Sequence, residues 1–391
     1  MSRFNCSHIN VKHYTIIMVV CSLLLGCIDP FEPTTPFFER VLVIDATLTD
    51  EVKNQEFTLS STFEFEEFVP LPEERATIKV VDDSQIEYTF QEESPGKYIS
   101  TSVFGAQPGV SYQLFITTAD GRNYASDPAL APPSVPIYDL KATRTLNDQA
   151  EDGISIDVKY APSSETKYFR YEYEEMYKII APRWTDVTLR WVSEFEAIVW
   201  PKSSRGGRVC YKTVDSNTII FNSPKGNDIG ESLEYPIRFI NSYDYILSHR
   251  YGIRVKQFAI TREAHTYLET LKKFAGQDNI FSQTQPGFFN GNIFSETDSN
   301  EKVLGYFDVT SVTIESVFFD YEDFFPDEPM PDYVDACNVT FPDPAAIRDL
   351  MSDGRFLYYS TSSPGSHSVV KRVCGDCTVL GESEIPEFWV E

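Results

Sequence analysis

Positive charge is scarce in this chain. Its 391 residues carry 33 Lys and Arg against 59 Asp and Glu, a formal net charge of −26. Nucleic-acid binding needs Lys and Arg to displace counterions from phosphates, so this balance argues against it, and equally against a basic patch gripping anionic lipid. Histidine is sparse too, at five residues. There is no Gly-x-Ser-x-Gly elbow, no His-Glu-x-x-His pair, no phosphate-cradling glycine loop and no dinucleotide fingerprint. A dispersed Ser-His-Asp set stays open, since its members can lie far apart in sequence. Its histidine would have to be His249, His265 or His367, each of which reads more simply as a packing or surface residue. After residue 27 no apolar run approaches the roughly twenty residues of a membrane-spanning helix.

What stands near the start is an address. Tyr14 to Leu25 is apolar, Arg3, Lys12 and His13 precede it, and Leu24-Leu25-Gly26-Cys27 closes it. A basic start, an apolar stretch of about a dozen residues and a small residue at the cut make a secretory signal. The closing tetrapeptide resembles the bacterial lipobox, in which the Cys is acylated and the segment before it is removed. Residues 1–26 are therefore read as a lipoprotein signal peptide and Cys27 as the lipid-attachment residue. Acyl chains contribute about 0.8 kcal/mol per buried methylene, so several hold a protein on a membrane without spanning it. Residues 27–36, with Pro30, Pro33 and Pro36, read as a stiff tether. Asp29 and Glu32, just after the Cys, lean toward cell-surface exposure. Loss of the leader removes Arg3 and Lys12 and no acid, taking the net charge from −26 to −28.

Four cysteines, Cys210, Cys337, Cys374 and Cys377, remain after Cys27. In an oxidising compartment they are disulfide candidates, with three possible pairings. Cys374-Gly375-Asp376-Cys377 also has redox or half-zinc spacing, but turn residues surround it and histidine ligands are short. A vicinal bond is allowed. The preferred arrangement ties Cys337 to one of that pair and Cys210 to the other. No metal and no cofactor is expected.

The body is mainly β. With 42% hydrophobic and 14% aromatic residues it has material for packed cores. Short β-rich runs, beginning with Leu42-Val43-Ile44-Asp45-Ala46, recur between turn signals such as Asp82-Asp83-Ser84, Ser94-Pro95-Gly96 and Asp120-Gly121. This spacing predicts an immunoglobulin-like or transthyretin-like β-sandwich over 37–132. Pro128 to Pro136, with four prolines, marks a boundary, and 133–391 reads as a larger β-rich domain. Within it, Ala264, Tyr267, Leu268, Leu271 and Phe274 recur at helical spacing and predict one amphipathic helix near 262–275, capped by Thr261.

Several segments then resemble a known family. Val255 to Tyr267 (Val-Lys-Gln-Phe-Ala-Ile-Thr-Arg-Glu-Ala-His-Thr-Tyr) is followed by Gln285-Pro286-Gly287, Gly291-Asn292-Ile293 and Val303-Leu304-Gly305-Tyr306-Phe307. Cys374-Gly375-Asp376-Cys377 and Pro386-Glu387-Phe388-Trp389 close the order. This is similar to a Bacteroidota outer-membrane lipoprotein family catalogued as domain of unknown function 4249. The resemblance implies an accessory role beside TonB-dependent transporters, and so a partner and a compartment rather than a reaction.

Two further features bear on partners. Phe318 to Asp335 interleaves seven acids with aromatics and three prolines, without EF-hand order. It reads as a solvated loop or as an interaction loop whose Tyr321, Phe324, Phe325 and Tyr333 dock on a partner. Trp184, Trp191 and Trp200 read as packing residues or as a sugar-stacking platform. The expected function is a lipid-anchored, non-enzymatic accessory protein of the outer membrane that binds a β-barrel transporter or assembly complex. The alternative is a surface lipoprotein capturing a glycan or peptide for import.

Overall fold

The structure, a computed structural model, describes residues 40–63, 69–193, 196–204, 206–222, 229–275, 291–363 and 365–391. Cys27, the tether 27–36 and Gln285-Pro286-Gly287 lie outside the described residues. Among those residues the protein is mainly β, as expected, and no helix is long and apolar enough to cross a membrane.

Nine strands open the fold: β1 (Leu42–Thr49), β2 (Glu56–Ser61), β3 (Leu71–Pro72), β4 (Thr77–Asp82), β5 (Glu87–Ser94), β6 (Lys97–Ser100), β7 (Ser111–Thr117), β8 (Asn123–Ser126) and β9 (Ala129–Leu130). Alternation decides which side chains point inward. Leu42, Ile44, Ala46 and Leu48 of β1, Ile78 and Val80 of β4, and Tyr112, Leu114 and Ile116 of β7 share one buried core. The turns carry their own chemistry. Asp82 Oδ1 accepts the amides of Ser84 and Ile86 at 2.9 and 2.8 Å, closing the β4–β5 connection. Gly96 has φ +74° and passes so near Leu59 that a Cβ would lie 2.5 Å from its carbonyl oxygen.

The second set is β10 (Ile137–Leu146), β11 (Asp152–Tyr160), β12 (Tyr168–Ile180), β13 (Val187–Trp191), β14 (Ala197–Pro201), β15 (Val209–Asp215), β16 (Ile220–Asn222), β17 (Leu233–Asn241) and β18 (Tyr251–Ile260). Helix α1 (Arg262–Ala275), β19 (Ile293–Ser295) and β20 (Val303–Phe319) follow. The sheet β10-β11-β17 faces the run β15-β12-β18-β20 across a core that includes Ile154, Ile156, Phe169, Tyr251 and Ile253. Three strands over four in this order is an immunoglobulin-like arrangement. That arrangement spans residues 137–319. Over residues 42–130 the strands form one hydrogen-bonded path, β1-β2-β6-β5-β4-β7-β8, extended by β19.

One strand belongs to both bodies. The first half of β20 runs parallel to β1, from Leu42 opposite Val303 to Thr49 opposite Thr310. Its second half runs antiparallel to β18, from Ser311 opposite Ala259 to Phe319 opposite Tyr251. The boundary at 132/133 separates the two cores, but Ile293, Val303, Phe307 and Val309 return to the first one. The proline-rich connection is fastened to this junction. Ser311 Oγ donates to Pro132 O at 2.6 Å, Gln257 Nε2 to Val135 O at 2.8 Å, and Thr166 Oγ1 to Pro133 O at 2.7 Å.

The remainder caps the second body: α2 (Tyr321–Phe324), α3 (Pro344–Ser352), β21 (Phe356–Ser363), β22 (Ser366–Lys371) and α4 (Arg372–Gly375). Leu189, Ile347, Tyr358 and Val369 form a small core between the β13–β14 hairpin, α3 and the β21–β22 hairpin. The final residues strap back onto the sheet, with Tyr211 and Glu382 exchanging backbone hydrogen bonds of 2.8 Å.

Candidate functional site

Helix α1 begins where β18 ends. Thr261 Oγ1 accepts the Ala264 amide at 3.1 Å, the N-cap read from the sequence. Ala264 is buried and, with Leu268, packs against Phe258, Ile260, Tyr168 and Tyr306. Tyr267 lies with its ring centroid 5.3 Å from that of Tyr306 on β20. Close backbone approach completes the corner. A Cβ on Gly291 would lie 1.7 Å from Gly305 O, and one on Gly305, whose φ is +146°, would lie 2.3 Å from Ile44 O. Asn292 then uses its amide as a strand would: Nδ2 donates to Phe307 O and Oδ1 accepts from Phe307 N, both at 2.8 Å.

These stretches line a cleft of about 1670 Å³ beside the junction of the two bodies. One wall is the connection Asp127 to Ser134, and the opposite wall is the start of α1 with Thr261, Arg262, Glu263 and Thr266. Tyr168, Tyr267 and Tyr306 supply aromatic surface. On β20, Val303, Phe307 and Val309 point into the first core, so Tyr306, Asp308 and Thr310 take the other face. Asp308 lines the cleft while only 8% exposed. Burial pushes its pKa up to about 6, against the opposing pull of Arg170 and the Val309 amide. Arg170 is engaged elsewhere, paired with Glu172 and stacked 4.1 Å over the Phe258 ring. Thr310, on the same face, keeps a buried hydroxyl with no hydrogen-bond partner.

The profile of a domain of unknown function, DUF4249, matches residues 28–316. The chain belongs to the DUF4249 family. No curated protein matches this DUF4249 chain. The match starts directly after Cys27 and stops inside β20. Three resemblance segments, 255–267, 291–293 and 303–307, fall within it and contribute residues to the cleft. The closing segments 374–377 and 386–389 lie beyond it, in the cap and strap.

The cap of this DUF4249 protein joins Cys210 to Cys377 and Cys337 to Cys374, with Cα–Cα distances of 5.7 and 5.5 Å. Each member of the Cys-x-x-Cys pair thus bonds a distant partner. Asp335, Cys337 and Cys374 come close enough to be considered as metal ligands, but both sulfurs are already in a disulfide. The aromatics proposed for docking are turned inward. Tyr321 and Phe325 are buried, and Phe324 and Tyr333 pack against the second core. Arg144 covers the Phe325 ring at 4.3 Å and bonds Glu328 at 2.6 Å, holding the loop down. The acids from Asp320 to Asp332 are therefore exposed while the rings complete a core.

The tryptophans do not form a platform. Trp191 packs in the cap core, Trp200 pairs opposite Thr188 on the other face of the hairpin, and Trp184 Nε1 donates to Gly206 O at 3.1 Å. The histidines stay apart as well. His265 lies between the rings of Tyr168 and Phe221, His367 Nδ1 bonds Thr361 Oγ1 at 2.7 Å, and burial lowers the pKa of His249. The sequence reading did not single out Asp308. Its signal was a lone acid inside the apolar run Tyr306-Phe307-Asp308-Val309.

Proposed function

We propose that this chain is a lipid-anchored accessory protein of the outer membrane that works by binding rather than by chemistry. It is held at the cell surface through Cys27, and its partner is a TonB-dependent barrel transporter or another barrel complex. The observation that carries this reading is convergence. The segments through which the chain resembles its family supply adjoining walls of one cleft, beside a connection fastened to β18 and β20. A frame of this kind is preorganised, which lowers the entropy cost of association.

The test is affinity purification of the tagged full chain from detergent-solubilised outer membrane. A barrel protein is expected to co-purify in near-stoichiometric amount, and Cys27→Ser is expected to shift the chain to the soluble fraction. Recovery of the membrane-anchored chain alone overturns the accessory role. A second reading, capture of a glycan or peptide for import, is favoured by the size of the cleft.

A further inference from the structure

We propose that the cleft is a docking groove for an extended, cationic polypeptide segment of a partner protein, one of whose Lys or Arg side chains meets the Asp308 carboxylate. The proposal rests on the reading of this chain as a binding protein and names what its cleft takes.

Size comes first. Sites for small molecules occupy about 300–1,000 Å³, and this cleft, at about 1670 Å³, has room for a length of chain. Charge comes second. Asp50, Asp127, Glu165, Glu263 and Asp308 line it, against Lys167 and Arg262. A neutral glycan gains little from such a surplus, whereas a basic segment gains at every step. Chemistry at the floor comes third. Asp308 is more than nine-tenths buried, and among the described residues no side chain hydrogen-bonds its carboxylate. The carboxylate takes the Val309 amide and feels Arg170 without a direct bond to it, and an arriving ammonium or guanidinium supplies the further charge and donors that its burial calls for. The faces of Tyr168, Tyr267 and Tyr306 can seat the same cation.

The groups around Asp308 leave this role open. Arg170 on β12 is the one cation acting on it, and that guanidinium is paired with Glu172. Asp45 on β1 shares its sheet face, Tyr306 is two residues away on β20, and Glu263 on α1 and Asp127 on the connection are acids.

The experiment is fluorescence anisotropy with a labelled alternating Lys-Ala octapeptide and the full-length chain in detergent, at roughly physiological salt to screen long-range attraction. Binding is expected at about pH 7.5, weakened about tenfold by Asp308→Asn and less by Glu263→Gln. Lowering the pH to about 5 is expected to weaken the parent chain more than Asp308→Asn, because the parent loses the Asp308 carboxylate there while Asp50, also raised by burial, is common to both. Asp349→Asn removes the same charge from the exposed face of α3 and is expected to have no effect. Thermal unfolding of each variant confirms the fold. Equal affinity in Asp308→Asn, an equal loss in Asp349→Asn, or binding of a neutral maltooligosaccharide in place of the peptide overturns the proposal. Co-purification of a barrel with Asp308→Asn as with the parent would overturn this proposal while leaving the accessory reading intact.

Discussion

Asp308 and Glu175 are both acids more than nine-tenths buried in this fold, and they differ in what meets them there. Glu175 accepts from Arg238 Nε at 3.0 Å and from the Tyr251 hydroxyl at 2.6 Å, linking the two sheets of the second body. Removing it leaves a guanidinium and a phenol in the core without their acceptor. Glu175→Ala is expected to lower stability by about 3 kcal/mol, read as a drop in the urea midpoint. Asp308 has the Val309 amide and the pull of Arg170, but among the described residues no side chain bonds it. The folded chain holds its proton up to about pH 6, whereas a free carboxyl releases it near the ordinary value of 3.8. Its contribution therefore favours folding below about pH 4 and is lost as pH rises through 6. Asp308→Asn is expected to raise the melting temperature by a few degrees at pH 7, on the order of 2 kcal/mol, with parent and variant converging near pH 4. A stability gain there, alongside weaker peptide binding, would mark a residue kept for recognition.

At the scale of elements, β20 and α1 organise the site. The polar pair Thr310-Ser311 is where β20 passes from the first body to the second. The Ser311 hydroxyl at the crossing bonds Pro132 O, and the backbone there is bonded by Asp50. The Asp50 amide donates to Thr310 O at 3.1 Å, and Asp50 Oδ1 accepts the Val312 amide at 2.8 Å. Helix α1 was legible in full, because its cap and stripe are local signals. Gly305 was legible only as part of a resemblance, since its neighbour Ile44 is far off in sequence. Gly305→Ala is expected to cost about 2 kcal/mol or more through strain and displacement of β1. Hydrogen exchange should then rise in β1 and β18 together, because β20 pairs with both.

For the whole molecule, the shared strand and the fastened connection predict one cooperative unfolding transition over residues 41–391, measured by calorimetry, despite two cores. The disulfides add to this through the unfolded chain. Cys337–Cys374 closes a span of 37 residues and Cys210–Cys377 one of 167. Replacing Cys337 and Cys374 by Ser is expected to cost about 4 kcal/mol, and replacing Cys210 and Cys377 about 5 kcal/mol, on the chain-entropy scale. Limited proteolysis of the first variant should cut first in the cap, where α3 and the two hairpins rest on a small core.

By itself the sequence determined the local matters. Alternation made strands, helical spacing with Thr261 made α1, and turn chemistry closed the hairpins, because each signal spans only a few residues. It also carried the family, through segments whose order is linear. Only the tertiary structure decided which strand pairs with which, that β20 serves two bodies, and that Tyr321, Phe324, Phe325 and Tyr333 complete a core instead of meeting a partner. It also decided that Asp308 reaches a cleft. Pairing, burial and the field around a carboxylate depend on residues brought together from distant parts of the chain, and no window of sequence contains them.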